Sequence, residues 1–181
     1  HEETVTLIYR IFEQIKYGIA EDHSYINDYI PVEKICSIGK VRNIEEFCTE
    51  FEARMRFLYM EFDKFNFTCS NKQVYDICTY VVQHIDTPNR NKDIADVFHI
   101  SKKYLSTLFK KETGVSFVNF VTLFKIERAK MLLSYSDMKI YNVADQLGFS
   151  DKDYFSKVFK KHTGLTPRSF NWDEHIRKNI P

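Results

Sequence analysis

Two short stretches of this sequence place lysine, serine and threonine side chains three and four residues apart, so that on a helix they share one face. Lysine can donate to guanine acceptors in the major groove of DNA, and serine or threonine can bond several base edges. We therefore predict that these side chains contact DNA bases. They are Lys103, Ser106 and Thr107 in the first stretch, and Lys152, Asp153, Ser156 and Lys157 in the second.

Lysines flanking these positions are predicted to contact phosphates. An ammonium group at the edge of such a face neutralises the DNA backbone and carries no sequence information. The candidates are Lys102, Lys110, Lys111, Lys160 and Lys161. For the two Lys-Lys pairs, a position in bulk solvent is the alternative.

Both stretches are copies of one repeat. SKKYLSTLFKKETG covers 101–114 and SDKDYFSKVFKKHTG covers 150–164, each after a short helical pattern. The repeat predicts two helix-turn-helix units, at about 91–113 and about 140–163, joined by a connecting helix at about 117–133 that Ser116 caps. Gly148 suits a left-handed turn, whereas His99 at the equivalent position predicts a more strained or differently shaped one.

Ordinary solvated helix faces would explain one such polar face equally well. Two copies of the same arrangement favour DNA binding. Asp153 has its own alternative, because Ser150 three residues earlier would form a capping box with it, and we favour that role over contact with cytosine.

Charge is distributed unevenly along the chain. Residues 1–68 hold 8 Lys and Arg against 13 Asp and Glu, a net charge of −5, whereas residues 69–181 hold 18 against 12, a net charge of +6. A basic C-terminal part beside an acidic N-terminal part favours a polyanion as the partner of the former.

The cysteines and histidines of this sequence argue against catalysis and metal binding. The four cysteines lack C-x-x-C spacing, and the six histidines form no metal-binding motif, which also disfavours a DNA-repair methyltransferase. No apolar stretch is long enough to cross a bilayer. We therefore expect a cytoplasmic protein that is not an enzyme, holds no cofactor or metal, and makes no membrane contact through this part of its sequence. The cysteines are Cys36, Cys48, Cys69 and Cys78.

From about Lys72 to Trp172, the sequence resembles the arabinose-operon regulator (AraC/XylS) family of bacterial transcription factors. The resemblance rests on YLSTLFKKETG in the first unit, KIERAKMLL from Lys125, and VADQLGFSDKDYFSKVFKKHTGLTPRSF from Val143. It implies double-stranded promoter DNA as the partner, with RNA polymerase as a further candidate. Thr107 stands where arginine is common in the family, so the first unit is expected to depend more on phosphates and DNA shape.

The family resemblance also implies an all-α fold. It is a seven-helix DNA-binding domain, over 69–181, with two helix-turn-helix units joined by the connecting helix and a small helical region before it. One helix is expected before the first unit, at about 72–85. Another is expected to close the domain, capped by Thr166 with Pro167 at its first position.

Residues 1–68 predict a linker, dimerisation or signal-coupling region. A first helix is expected over about 3–17, and a second begins near Asn43, where Glu46 would complete a capping box. The second helix carries a heptad stripe, which would pair with a second chain or pack on the first helix of its own chain. The stripe comprises Ile44, Cys48, Phe51, Met55, Leu58, Phe62 and Phe65, of which the first six are the candidate dimerisation residues.

This N-terminal region is similar to the helices that join a receiver or sensor domain to the DNA-binding domain in the two-component branch of the family. Since the chain begins with His1, we expect an upstream receiver or sensor domain to be missing. The remaining alternative is an interaction protein that uses the heptad helix to bind another regulator and its basic half for nonspecific DNA association. Preference for one DNA site over random duplex distinguishes the two.

Overall fold

A computed structural model describes residues 10, 11, 14, 28–39, 41–64, 71–87 and 89–180, and every regular element in these ranges is helical. The predicted all-α class is confirmed. The helix expected over about 3–17 lies outside the described residues except at 10, 11 and 14. The helices are α1 (Val32–Ile35), α2 (Ile44–Asp63), α3 (Lys72–Gln83), α4 (Asn91–Val97), α5 (Lys102–Thr113), α6 (Phe117–Tyr135), α7 (Ile140–Gln146), α8 (Lys152–Thr163) and α9 (Trp172–Asn179).

The chain divides into two compact units. One comprises residues 1–65 together with 173–181, and the other comprises residues 66–172. Within the first unit, the rings of Phe57 and His175 make an edge-on contact at 5.8 Å, and Ile176 and Ile180 are buried. The boundary after Thr68 stays a prediction.

In the first unit, Asn43 starts α2. Its side-chain oxygen accepts a hydrogen bond of 2.8 Å from the backbone N–H of Glu46. The second half of the predicted capping box is wrong, because the Glu46 carboxylate accepts instead from the backbone N–H of Arg42 at 2.7 Å and from its guanidinium at 3.1 Å. Arg42 thus offers three donors in place of one, since a second guanidinium nitrogen also donates to this carboxylate at 3.3 Å.

The buried side of α2 is offset from the predicted heptad stripe. Phe47, Leu58 and Glu61 are buried, whereas Ile44 and Cys48 at the start of the stripe are exposed. Leu58 is therefore the only member of the stripe in the core of this unit among the described residues. The half-buried members are Phe51, Met55 and Phe62. Phe65 lies outside the described residues.

In the second unit, four helices pack on α6: α3 and α5 from one part of the sequence, and α7 and α8 from the other. As predicted, Ser116 caps α6, and its hydroxyl accepts from the backbone N–H of Asn119 at 3.2 Å. Because several faces of α6 are covered, its apolar residues do not form one stripe. Its buried apolar residues are Phe117, Phe120, Val121, Phe124, Ile126 and Ala129.

An ion pair lies inside α6. The ammonium of Lys130 is 2.7 Å from the carboxylate of Glu127, and both residues are 5% exposed. The same ammonium lies 5.5 Å from the centre of the Trp172 ring and 6.0 Å from that of Phe170. The aromatic faces and the carboxylate together compensate the buried cation.

The closing helix starts later than predicted. Thr166 and Pro167 open a turn in which the backbone N–H of Ser169 donates to the carbonyl of Thr166 at 3.0 Å, and α9 begins only at Trp172. The expectation that Thr166 caps this helix is wrong, because the bonds that would cap a helix close this turn instead.

Candidate nucleic-acid interface

The first helix-turn-helix unit consists of α4, a tight turn and α5. His99 in the turn has a φ of 54°, a left-handed conformation that is uncommon for residues other than glycine. The backbone N–H of Ile100 donates to the carbonyl of Ala95 at 2.9 Å, and Ala95 is buried. The turn therefore holds His99 in a strained backbone conformation.

The second unit, α7 and α8, repeats this turn with Gly148 in place of the histidine. Gly148 has a φ of 68°, and the backbone N–H of Phe149 donates to the carbonyl of Ala144 at 2.9 Å. Since glycine adopts this conformation without a steric penalty, the second turn is free of the strain in the first.

Equivalent residues cap α5 and α8. The hydroxyl of Ser101 accepts from the backbone N–H of Tyr104 at 3.1 Å, and the carboxylate of Asp151 accepts from that of Tyr154 at 2.7 Å. The expected cap by Ser150, with Asp153 as its capping-box partner, is wrong: α8 begins one residue later, so Asp151 holds the capping position. Asp153 then lies exposed in the first turn of the helix, where its negative charge interacts favourably with the helix dipole.

Each helix has one face in the core and one in solvent. Leu105 and Phe109 in α5, and Phe155 and Phe159 in α8, are completely buried. The opposite face of α5 exposes all three predicted base-contacting residues, Lys103, Ser106 and Thr107. That of α8 exposes Lys152, Asp153 and Lys157, with Ser156 half-buried. We call these the α5 face and the α8 face.

The predicted phosphate-contacting lysines lie at the two ends of these helices and are all exposed. Lys102 occupies the first turn of α5, and the Lys-Lys pairs occupy the last turns of α5 and α8. A cation at a helix C-terminus interacts favourably with the helix dipole. The last-turn lysines are Lys110, Lys111, Lys160 and Lys161.

Two tyrosines beside these faces were not predicted from the sequence. Tyr104 is 49% exposed and Tyr154 is 54% exposed, at equivalent positions in the first turn of α5 and α8. A large exposed aromatic residue repeated in both units is the signal that could have identified them. Asn91 was also missed, although its amide donates to the Ser106 hydroxyl of the α5 face at 3.4 Å.

Comparison with known proteins identifies the domain. A family described as a helix-turn-helix domain matches residues 94–171. The Arabinose operon regulatory protein of Escherichia coli is 38% identical over 103 residues, which are 55% of this chain and 35% of that protein. This part of the chain is therefore a helix-turn-helix domain, and it is similar to part of the Arabinose operon regulatory protein. The Bacillus subtilis protein YesN, an uncharacterized transcriptional regulatory protein, is 38% identical over 94 residues, covering 50% of this chain and 26% of YesN.

Two solved structures have a similar fold. The C-terminal domain of AraT, a response regulator from Geobacillus stearothermophilus, has a TM-score of 0.50 and 27% identity, covering 61% of this chain and 88% of that one. The DNA-binding domain of AdpA, solved with a target DNA, has a TM-score of 0.51, covers 61% of this chain and 98% of that one, and at 18% identity shows the fold alone.

These matches identify the class of the domain. It is a DNA-binding helix-turn-helix domain of the kind found in transcription regulators, and, as predicted, it is not an enzyme domain. The chain spans about a third of the length of the curated relatives that it matches first, at 34% and 35%. In the part of the chain that the structure describes, no helix is long and apolar enough to cross a membrane.

Proposed function

We propose that this protein is a sequence-specific transcription regulator that inserts α5 and α8 into successive major grooves of one promoter site. The observation that supports this is the pair of equivalent polar faces, both exposed, on helices that pack on the same connecting helix. With 19 residues at about 1.5 Å each, α6 is roughly 28 Å long, near the 34 Å of one DNA turn. Any shortfall would be met by bending of the DNA.

Under this proposal, some side chains contact DNA bases and others contact phosphates. Those of the α5 and α8 faces contact base edges, and the last-turn lysines and Lys102 contact phosphates. The two faces differ at two equivalent positions, since α8 has Lys157 in place of Thr107 and Asp153 in place of Lys103. The two helices therefore make different base contacts. We add Tyr104 and Tyr154 as neighbours whose hydroxyls can donate to phosphates.

The remaining partners belong to the same proposal. The AraT domain, from a protein described as a response regulator, supports an upstream receiver domain as the signal input. A homodimer through α2 would use its exposed residues Ile44 and Cys48. RNA polymerase is a further partner, and the cytoplasm is the compartment.

The test separates base contacts from phosphate contacts. Genomic fragments bound by the protein are first selected, and a recovered site and its scrambled version are then titrated at two salt concentrations. We expect Lys157→Ala to weaken binding to the site by about 1–3 kcal/mol, with little loss on scrambled DNA. We expect Lys111→Ala, the control, to weaken both equally and to reduce the salt slope by about 1.

Equal losses on both duplexes for Lys157→Ala would remove this lysine from the base-contacting set. If the unsubstituted protein itself does not prefer the selected site by roughly a thousandfold, it is a nonspecific DNA binder and the proposal is wrong.

A further inference from the structure

A cavity of about 330 Å³ lies between the two helix-turn-helix units. Its walls come from the start of α4, one side of α6, the turn before α8 and the first turn of α8. This volume is within the range of small-molecule sites, about 300–1,000 Å³. The cavity thus touches both DNA-binding units at once.

Two cations line this cavity, and one of them, Arg90, has a guanidinium that pairs with the Asp93 carboxylate at 3.0 Å. The other cation is Lys125. Its ammonium lies 5.7 Å from the centre of the Phe149 ring, and no carboxylate of the described residues lies within ion-pair distance of it. Burial lowers the pKa of Lys125 below its usual value. A cation that has lost part of its hydration without gaining a counter-ion attracts an anion.

The remaining walls are mixed in a way that suits a ligand with an apolar body. Val121 is buried and Val118 is 56% exposed, and both line the cavity with the ring of Phe149. Asn91 and Ser150 add groups that can donate hydrogen bonds to an oxyanion. Few polar groups on an apolar wall are typical of small-molecule sites.

We propose that this cavity binds a small organic anion, a carboxylate or phosphate monoester on an apolar body, with its charged oxygens at Lys125. A phosphate of bound DNA has the same charged chemistry. The apolar walls favour the small molecule, since a DNA phosphate carries no apolar group to cover Val118 and Phe149. The site does not depend on how α5 and α8 dock on DNA, because the ligand binds the free protein.

The experiment titrates the 181-residue chain with benzoate, phenyl phosphate and the neutral benzyl alcohol, followed by amide shifts in NMR spectra. We expect saturable binding of at least one of the two anions and none of benzyl alcohol. We expect Lys125→Met to weaken binding of the anion at least tenfold, since a charge-assisted hydrogen bond is lost. Lys178→Met, the same change of charge at an exposed lysine of α9, leaves the binding unchanged.

A DNA titration distinguishes the two sources of the anion. If the site serves a small molecule, Lys125→Met leaves the salt slope of DNA binding unchanged. Absence of saturable binding by both anions, or equal binding by the Lys125→Met variant, overturns the proposal. No anion binding together with a salt slope lowered by about 1 also overturns it, and assigns Lys125 to a DNA phosphate.

Discussion

The first helix-turn-helix unit turns at His99 with a φ of 54°, and the second turns at Gly148 with a φ of 68°. Their second helices both end at a left-handed glycine, Gly114 and Gly164, with φ values of 75° and 76°. The backbone is thus nearly duplicated while the side chains on it differ. The two units therefore share the same helix ends, while the side chains on their polar faces differ.

The largest expected effect concerns the equivalent core residues Phe109 and Phe159, both completely buried. Phe109→Ala and Phe159→Ala should each lower the free energy of unfolding by about 3–5 kcal/mol, since each leaves a cavity. Urea denaturation measures the loss, with the corresponding leucine variants as smaller-loss controls. A loss below about 1.5 kcal/mol in one unit would show that its core is not equivalent to the other.

Substitutions in the two turns should change the stability in opposite directions. Gly148→Ala should cost about 1–2 kcal/mol of stability, because an L side chain is strained at positive φ. The added Cβ would also meet the Lys125 ammonium at 3.3 Å, but that is the flexible end of a side chain. His99→Gly should gain up to about 1 kcal/mol. Thermal unfolding of both variants tests this, and a neutral Gly148→Ala would contradict the strain argument.

The caps provide a test with smaller effects. Ser101→Ala and Asp151→Ala should each cost about 0.5–2 kcal/mol, because each leaves the backbone N–H of a tyrosine without its acceptor. Ser150→Ala is the control and should be nearly neutral, since it precedes the cap. If denaturation shows that Ser150→Ala costs as much as Asp151→Ala, then Asp151 is not the only residue that caps α8.

The smallest expected effect is a pH dependence that comes from His162 in the second helix-turn-helix unit. His162 stands where the first unit has Glu112, and its pKa is held below the usual value by desolvation and by Lys161 and Lys130, against an opposing effect of Glu127. The unfolded chain then binds this proton more readily than the folded one, so stability falls as the pH drops below about 6.5.

Unfolding free energies measured between pH 5 and pH 8 test this. His162→Gln should reduce the acid-side loss of stability, and Lys178→Met should leave it unchanged as a control for altered charge. An identical pH profile for His162→Gln and the unsubstituted protein would mean that another group causes the acid loss.

The repeat in the sequence made most of the compact unit over residues 66–172 predictable. Ser116 is a strong capping residue followed by apolar residues, and it caps α6 as expected. The start of α8 was missed because Ser150 and Asp151 are both good capping residues, and local propensity cannot choose between neighbours. In the same way, Thr166 and Pro167 are typical of a helix start but also close a turn.

Tertiary packing explains the other gaps. The buried side of α2 is offset from the predicted stripe because it includes Phe47 and Phe57, which lie next to the stripe, and the sequence does not reveal which of two adjacent stripes meets the core. The cavity at Lys125 was not foreseen, since residues from four separate elements form it. Its lysine looks like any helix-surface cation until those elements are brought together.

The connecting helix sets a limit on how this domain can be divided. Since α3, α5, α7 and α8 all cover α6, cleaving the chain between Ser136 and Lys139 would uncover phenylalanines on the half that keeps α6 and deprive the other half of its support. We therefore expect that neither half folds on its own. Exchange of operator preference between relatives, by recombination or by engineering, has to transplant the whole tandem or change single side chains on the α5 and α8 faces.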